Sequence, residues 1–88
     1  MERTVAIVNR LGLHARAAAK LVTMASLFQA DIRVRKGPRE VSGKSIMGLM
    51  MLAAAKGSQI TLIAEGDDAA IALERMAELV ANRFGEDS

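Results

Sequence analysis

The sequence predicts an α+β fold, an open-faced two-layer sandwich in which a four-stranded antiparallel sheet is covered by three helices in the order βαββαβα. Three observations predict it. Four short runs are β-branched or alternate between polar and apolar residues. Three other segments repeat apolar residues at helical spacing. Compact turns join them, with no linker, internal repeat or low-complexity run between. The 88 residues are read as one domain, 1–88, stabilised mainly by burial of helices against the sheet.

Thr4-Val5-Ala6-Ile7-Val8 reads as the first strand, and Asn9 to Gly12 as the turn that ends it. A helix from Ala15 to about Phe28 follows, with Ala18, Leu21, Val22, Ala25 and Phe28 on one buried stripe. Asp31-Ile32-Arg33-Val34-Arg35 alternates as a strand with one face in water. Gly37-Pro38 turns the chain, and Arg39-Glu40-Val41-Ser42 returns as a short paired strand. Ser45 opens a second helix through about Leu52, with Gly57 beyond its end and with Met51 and Leu52 as its expected core residues. Gln59 to Ala64 is the fourth strand. Asp67 or Asp68 caps a last helix to about Phe84, with Ala69, Leu73, Met76, Val80 and Phe84 on one side. Glu74 and Glu78, four apart, share a face that must point to solvent.

Composition removes several function classes. Cysteine is absent, which excludes disulfides and thiolate metal sites, and a single histidine makes a zinc site improbable. The longest uncharged stretch, Ser45 to Ala55, is too short to span a bilayer. Met1-Glu2-Arg3-Thr4 leads directly into a strand pattern without the features of a signal peptide, so a cytoplasmic protein is expected. Residues 1–56 hold ten Lys/Arg and three Asp/Glu, and residues 57–88 hold two and seven, a split of +7 and −5. Such a basic half suits acidic partners, though segregated charge also describes a merely solvated surface. A nucleic-acid-binding domain is suggested by the sequence pI of about 9.5. It is disfavoured because the two aromatic residues both fall on apolar helix stripes and leave no stacking platform.

The chemistry concentrates at Gly12-Leu13-His14-Ala15-Arg16-Ala17-Ala18-Ala19-Lys20. An isolated histidine is usually structural, but this one stands where a glycine turn gives way to a helix. A helix start offers unpaired amides and the positive end of the macrodipole, a natural cradle for phosphate. That positive end also favours the neutral, nucleophilic imidazole. Small alanines keep the helix entrance open, and Arg16 supplies a permanently charged fork matched to phosphate oxygens. The residues therefore assign a phosphoryl group to His14.

Gly12-Leu13-His14-Ala15-Arg16 and the order of elements around it resemble the histidine-containing phosphocarrier family (HPr) of the bacterial phosphotransferase system, whose motif has the form Gly-Leu-His-Ala-Arg-Pro-Ala. The similarity extends over essentially the whole chain. It implies that His14 accepts phosphate from enzyme I and passes it to IIA-type acceptors, with Arg16 assisting. A carrier of this kind is not an enzyme and needs no metal or cofactor. The departure is Ala17, where the family commonly has proline; alanine keeps its N–H and is the best helix former.

Gly43-Lys44-Ser45 looks like the tail of a nucleotide-binding P-loop, but that motif needs glycine where Pro38 stands, and the reading fails. Ser45 is expected to cap the second helix. Lys44-Ser45-Ile46-Met47-Gly48-Leu49-Met50 also resembles the regulatory-serine segment of carriers controlled by HPr kinase/phosphorylase. Ile46, Met47 and Met50 lie on one side of that helix, and periodicity alone reads them as core. The resemblance implies instead that they dock partners together with Ala15, Ala19 and Lys20, methionine being suited to surfaces that fit several shapes. A monomer without membrane insertion is expected. The rival reading is an HPr-like regulatory docking module that works mainly through Ser45 phosphorylation.

Overall fold

A computed structural model describes all residues from Met1 to Ser88. The chain runs β1 (Glu2–Ala6), α1 (Ala15–Ala25), β2 (Asp31–Lys36), β3 (Arg39–Ser42), α2 (Ile46–Met51), β4 (Gln59–Glu65) and α3 (Ala69–Ala81), then a single 3-10 turn at Arg83–Gly85. The strands form one antiparallel sheet in the order β1-β4-β2-β3. The βαββαβα order and the open-faced sandwich are those the sequence predicts.

Alternation makes the layers. Ile32 and Val34 on β2 and Ile60, Leu62 and Ala64 on β4 are buried against the helices. On the opposite face Arg33 donates to Glu40 (2.8 Å) and Arg35 to Glu2 (3.3 Å), and the Thr4 and Thr61 hydroxyls bond across β1 and β4 (3.0 Å). From above, Ala17, Ala18, Leu21 and Ala25 of α1 enter the core, as do Ala69, Ala72, Leu73, Met76, Ala77 and Val80 of α3.

Five local expectations are corrected. Strand β1 lies two residues earlier than read, because Glu2 and Arg3 already pair with Ile63 and Leu62 on the long β4. Helix α1 stops at Ala25, three residues short of Phe28. Its last carbonyls are taken by tight i→i+3 bonds from Leu27 and Phe28, and Asp68 Oδ2 and Oδ1 then hold the amides of Gln29 and Ala30 (2.8 and 2.9 Å). Asp68 therefore ties the α1–β2 loop and makes no side-chain cap on α3. Met51 is 60% exposed, whereas Leu52 is buried. Leu49 and Leu52, three apart, define the inward side of α2, and Met51 falls outside it.

The fifth correction concerns Phe84. Helix α3 ends at Ala81, and Phe84 reaches the core through a reversal in which Arg83 (φ 57°) and Phe84 (φ 54°) are both left-handed. Neither residue has glycine's freedom, so each costs about 1–2 kcal/mol of backbone strain. Full burial of the Phe84 ring offsets roughly as much. The reversal carries the last residues back over the start of α1.

Candidate functional site

Gly12 has φ +67°, and a Cβ there would stand 2.6 Å from the Ala54 carbonyl oxygen. Only glycine meets both conditions. The next amide, Leu13, donates to the same carbonyl (2.8 Å), and the Leu13 side chain is buried. The turn is thus pinned on both sides of the chain, and His14 emerges as the extended N-cap of α1 (φ −75°, ψ 178°). Its ring makes no cap bond to the helix. The first intrahelical bond is Ala18 N–H to the His14 carbonyl (2.8 Å), which leaves the amides of Ala15, Arg16 and Ala17 without protein partners.

The imidazole is 29% exposed and is held on one edge. Its Nε2 lies 2.5 Å from Oε2 of Glu86, a carboxylate brought there by the Phe84 reversal. The other Glu86 oxygen accepts from Asn9 Nδ2 (3.0 Å), which also donates to the Gly12 carbonyl (2.7 Å). Buried Asn9 spends its amide group on these two bonds and leaves its own Oδ1 unpaired. The opposite orientation would set that oxygen against two acceptors. Asn9, His14 and Glu86 therefore form a short chain of hydrogen bonds beneath the turn.

The hydrogen bond from Asn9, followed by that from His14, holds the Glu86 carboxyl below its usual 4.5. Partial burial works in the opposite direction, and the positive charges of a protonated His14 and of Lys20 add to the lowering. An ionised carboxylate only accepts, so Nε2 carries a proton, and in the neutral ring the lone pair falls on Nδ1, which bonds to no protein group. The Lys20 ammonium donates to the Phe84 carbonyl (2.6 Å), and Arg10 N–H to the Ser88 carbonyl (3.0 Å). Both bonds fasten the final segment in place.

Arg16 is exposed on the first turn of α1 and makes no hydrogen bond or ion pair. Beside it runs a largely apolar groove of about 380 Å³ that includes Arg16, Ala19, Lys20, Met24 and Leu27. A smaller hollow of about 200 Å³ is formed by Leu11, Leu13, His14 and Ala53 to Ala55. Ser45 caps α2, its Oγ accepting from Gly48 N–H (3.0 Å). Gly43 is a packing glycine, since a Cβ there would meet Ile32 Cγ2 at 2.5 Å. Ile46, Met47 and Met50 are exposed by 41%, 75% and 43%, against the periodicity reading of a core stripe. Ala15 is exposed and Ala19 half-buried on the neighbouring helix. No three His, Asp or Glu side chains converge to hold a metal, and no helix is long and apolar enough to cross a membrane.

Sequence reasoning missed Asn9 and Glu86. Asn9 reads locally as a turn residue, and Glu86 as one of several acidic groups near the end of the chain. Their meeting depends on a contact spanning 72 residues of sequence.

Residues 1–82 match the family described as the PTS HPr component phosphorylation site. The phosphocarrier protein HPr of Cupriavidus necator is 48% identical over 86 residues, covering 98% of this chain and 97% of its own. The phosphocarrier protein NPr of Shewanella violacea is 47% identical over 88 residues, covering 100% and 97%. Among solved structures, HPr from Thermoanaerobacter tengcongensis superposes with a TM-score of 0.95 at 43% identity, covering 100% of this chain and 99% of that one. Fold, turn, helix start and likeness along the full chain agree: the protein belongs to the HPr phosphocarrier family of the phosphotransferase system.

Proposed function

We propose that the chain accepts a phosphoryl group on Nδ1 of His14 from enzyme I and passes it to IIA-type acceptors. The observation that carries this reading is the ring itself. Its Nε2 is taken by a carboxylate, its Nδ1 is free, and it caps a helix whose first three amides have no partner. The Nδ1 lone pair attacks phosphorus in line, and the bond from phosphorus to the donor's ring nitrogen breaks. The phosphoryl oxygens then meet free amides, the positive end of α1 and the Arg16 guanidinium. The dipole contributes about 0.3–1 kcal/mol, and Arg16 adds a charge-assisted bond. Such modest terms suit a carrier, which must release what it holds.

Ala15, Ala19 and Lys20 on α1 and Ile46, Met47 and Met50 on α2 form the partner-docking face in this reading. Phosphorylation of Ser45 by HPr kinase/phosphorylase would keep the cap at the α2 start and add about two negative charges beside that apolar face. The protein works as a cytoplasmic monomeric single-domain relay, neither an enzyme nor a cofactor protein. A regulatory docking module acting mainly through Ser45 is the second reading, favoured by the nearness of Ser45 to the exposed methionines.

Incubation with enzyme I and phosphoenolpyruvate tests the choice. One acid-labile phosphate in the intact mass of the wild type, and none in His14→Ala, is the expected result. Normal cellular function of a His14→Ala strain would favour the regulatory module.

A further inference from the structure

We propose that Met47, Met50 and Met51 form a modification site, at which a peroxide-class oxidant makes methionine sulfoxide. The change weakens transfer between proteins and spares the chemistry at His14. The inference rests on the docking face assigned above and adds a reversible control to it.

Composition and placement carry it together. The chain has no cysteine, tryptophan or tyrosine, so its six thioethers are the side chains a mild oxidant attacks most readily. They are unevenly placed. Met76 is wholly buried and Met24 half-buried, whereas Met47, Met50 and Met51 are 75%, 43% and 60% exposed on one helix. Met1, also exposed, stands apart at the start of β1. Spacings of three and four put Met50 and Met51 each beside Met47, so the three sulfurs share neighbouring surface. The helix beneath is held independently of them. Leu49 and Leu52 anchor α2 in the core, Ser45 caps its start, and the Arg39 guanidinium donates to the Met51 carbonyl (2.6 Å) at its end.

In the oxidation the thioether sulfur attacks one peroxide oxygen. The S–O bond forms as O–O breaks, and the departing hydroxide takes a proton and leaves as water. Sulfur loses two electrons and peroxide gains them. Methionine sulfoxide reductases reverse the step with two thiols, which close to a disulfide while the oxygen leaves as water. Ser45 to Ala55 holds no charge, so each sulfoxide oxygen becomes a strong polar group on an otherwise apolar face. A partner that buries this face must strip water from those oxygens. His14 is set by the Gly12 turn and Glu86, to which the three side chains contribute nothing.

The test treats the full chain with hydrogen peroxide, removes the peroxide, and locates added oxygen by peptide mass. Met47, Met50 and Met51 are expected to gain oxygen together with Met1, ahead of Met24, while Met76 stays reduced. The oxidised chain should still melt cooperatively. Its KM towards enzyme I is expected to rise about tenfold. Phosphoramidate, a small donor that makes no docking contacts, should phosphorylate it within about twofold of the untreated rate. Sulfoxide reductases with a thiol should restore KM. In a variant carrying Met47→Leu, Met50→Leu and Met51→Leu, peroxide should change the variant's own KM by less than about twofold. That variant still oxidises at Met1, which separates this site from oxidation in general. An unchanged KM in the oxidised wild type, an equal loss in the leucine variant, or an equal slowing with phosphoramidate overturns the proposal. Loss of the cooperative melt overturns it too, since the site requires a change confined to the surface. Untreated protein that takes no phosphate from either donor overturns the carrier reading instead, and Met76 oxidising as fast as Met47 still overturns the modification site.

Discussion

Gly12 shows how much a single position determines here. Its left-handed φ and the 2.6 Å approach to Ala54 O leave no room for a side chain. Gly12→Ala is expected to lose roughly 1–3 kcal/mol in denaturant unfolding and to slow phosphorylation by displacing His14. Glu86 gives a pH-dependent counterpart. Because hydrogen bonds from Asn9 and His14 lower its carboxyl pKa in the folded protein, the native state holds the ionised form better than the unfolded chain does. That stabilisation is complete above the ordinary value of 4.5 and fades as pH falls through the lower folded value. Unfolding curves at about pH 7 and about pH 3 should therefore show wild type and Glu86→Gln further apart at the higher pH. A gap that widens on acidification would contradict the assignment. Gly12 and His14 could be found in the sequence because both roles are local, whereas a glutamate two residues after a buried phenylalanine carries no pattern of its own.

At the scale of elements, helix starts were more legible than helix ends. His14 and Ser45 mark the starts of α1 and α2 by their position and chemistry, and the start of α1 explains the departure from the family motif. Ala17 sits in the first turn, where its N–H has no intrahelical acceptor, so proline would forfeit no bond there. Ala17→Pro is expected to change stability by less than about 1 kcal/mol, read from the unfolding midpoint. Ser45→Ala removes the Oγ to Gly48 N–H cap and should cost about 1 kcal/mol. The ends resisted because tertiary contacts set them. Asp68 draws the chain out of α1 through Gln29 and Ala30, and the insertion of Phe84 forces the reversal after α3. Periodicity correctly put Phe84 in the core and wrongly kept it in the helix. Met51 failed for a related reason: six residues of α2 are too few for spacing to say which side faces in.

For the whole molecule, alternation and helical spacing were enough to give the βαββαβα order, because each element buries one face of a single sheet. What they could not give was the meeting of Asn9, His14 and Glu86, which exists only once the last residues fold back across α1. The basic excess of residues 1–56 includes Arg16 and Lys20 beside His14 and Lys44 beside Ser45. Acceptance from enzyme I should accordingly slow as salt rises from about 50 to about 500 mM, while reaction with phosphoramidate changes little. Equal salt responses would argue against electrostatic docking. The central claim is that one named nitrogen carries the phosphoryl group. ³¹P–¹⁵N coupling in the labelled protein, after reaction with enzyme I and phosphoenolpyruvate, reads this directly. The account predicts phosphorus bonded to Nδ1 of His14 with Nε2 still protonated; phosphorus on Nε2, or on any other residue, would contradict it.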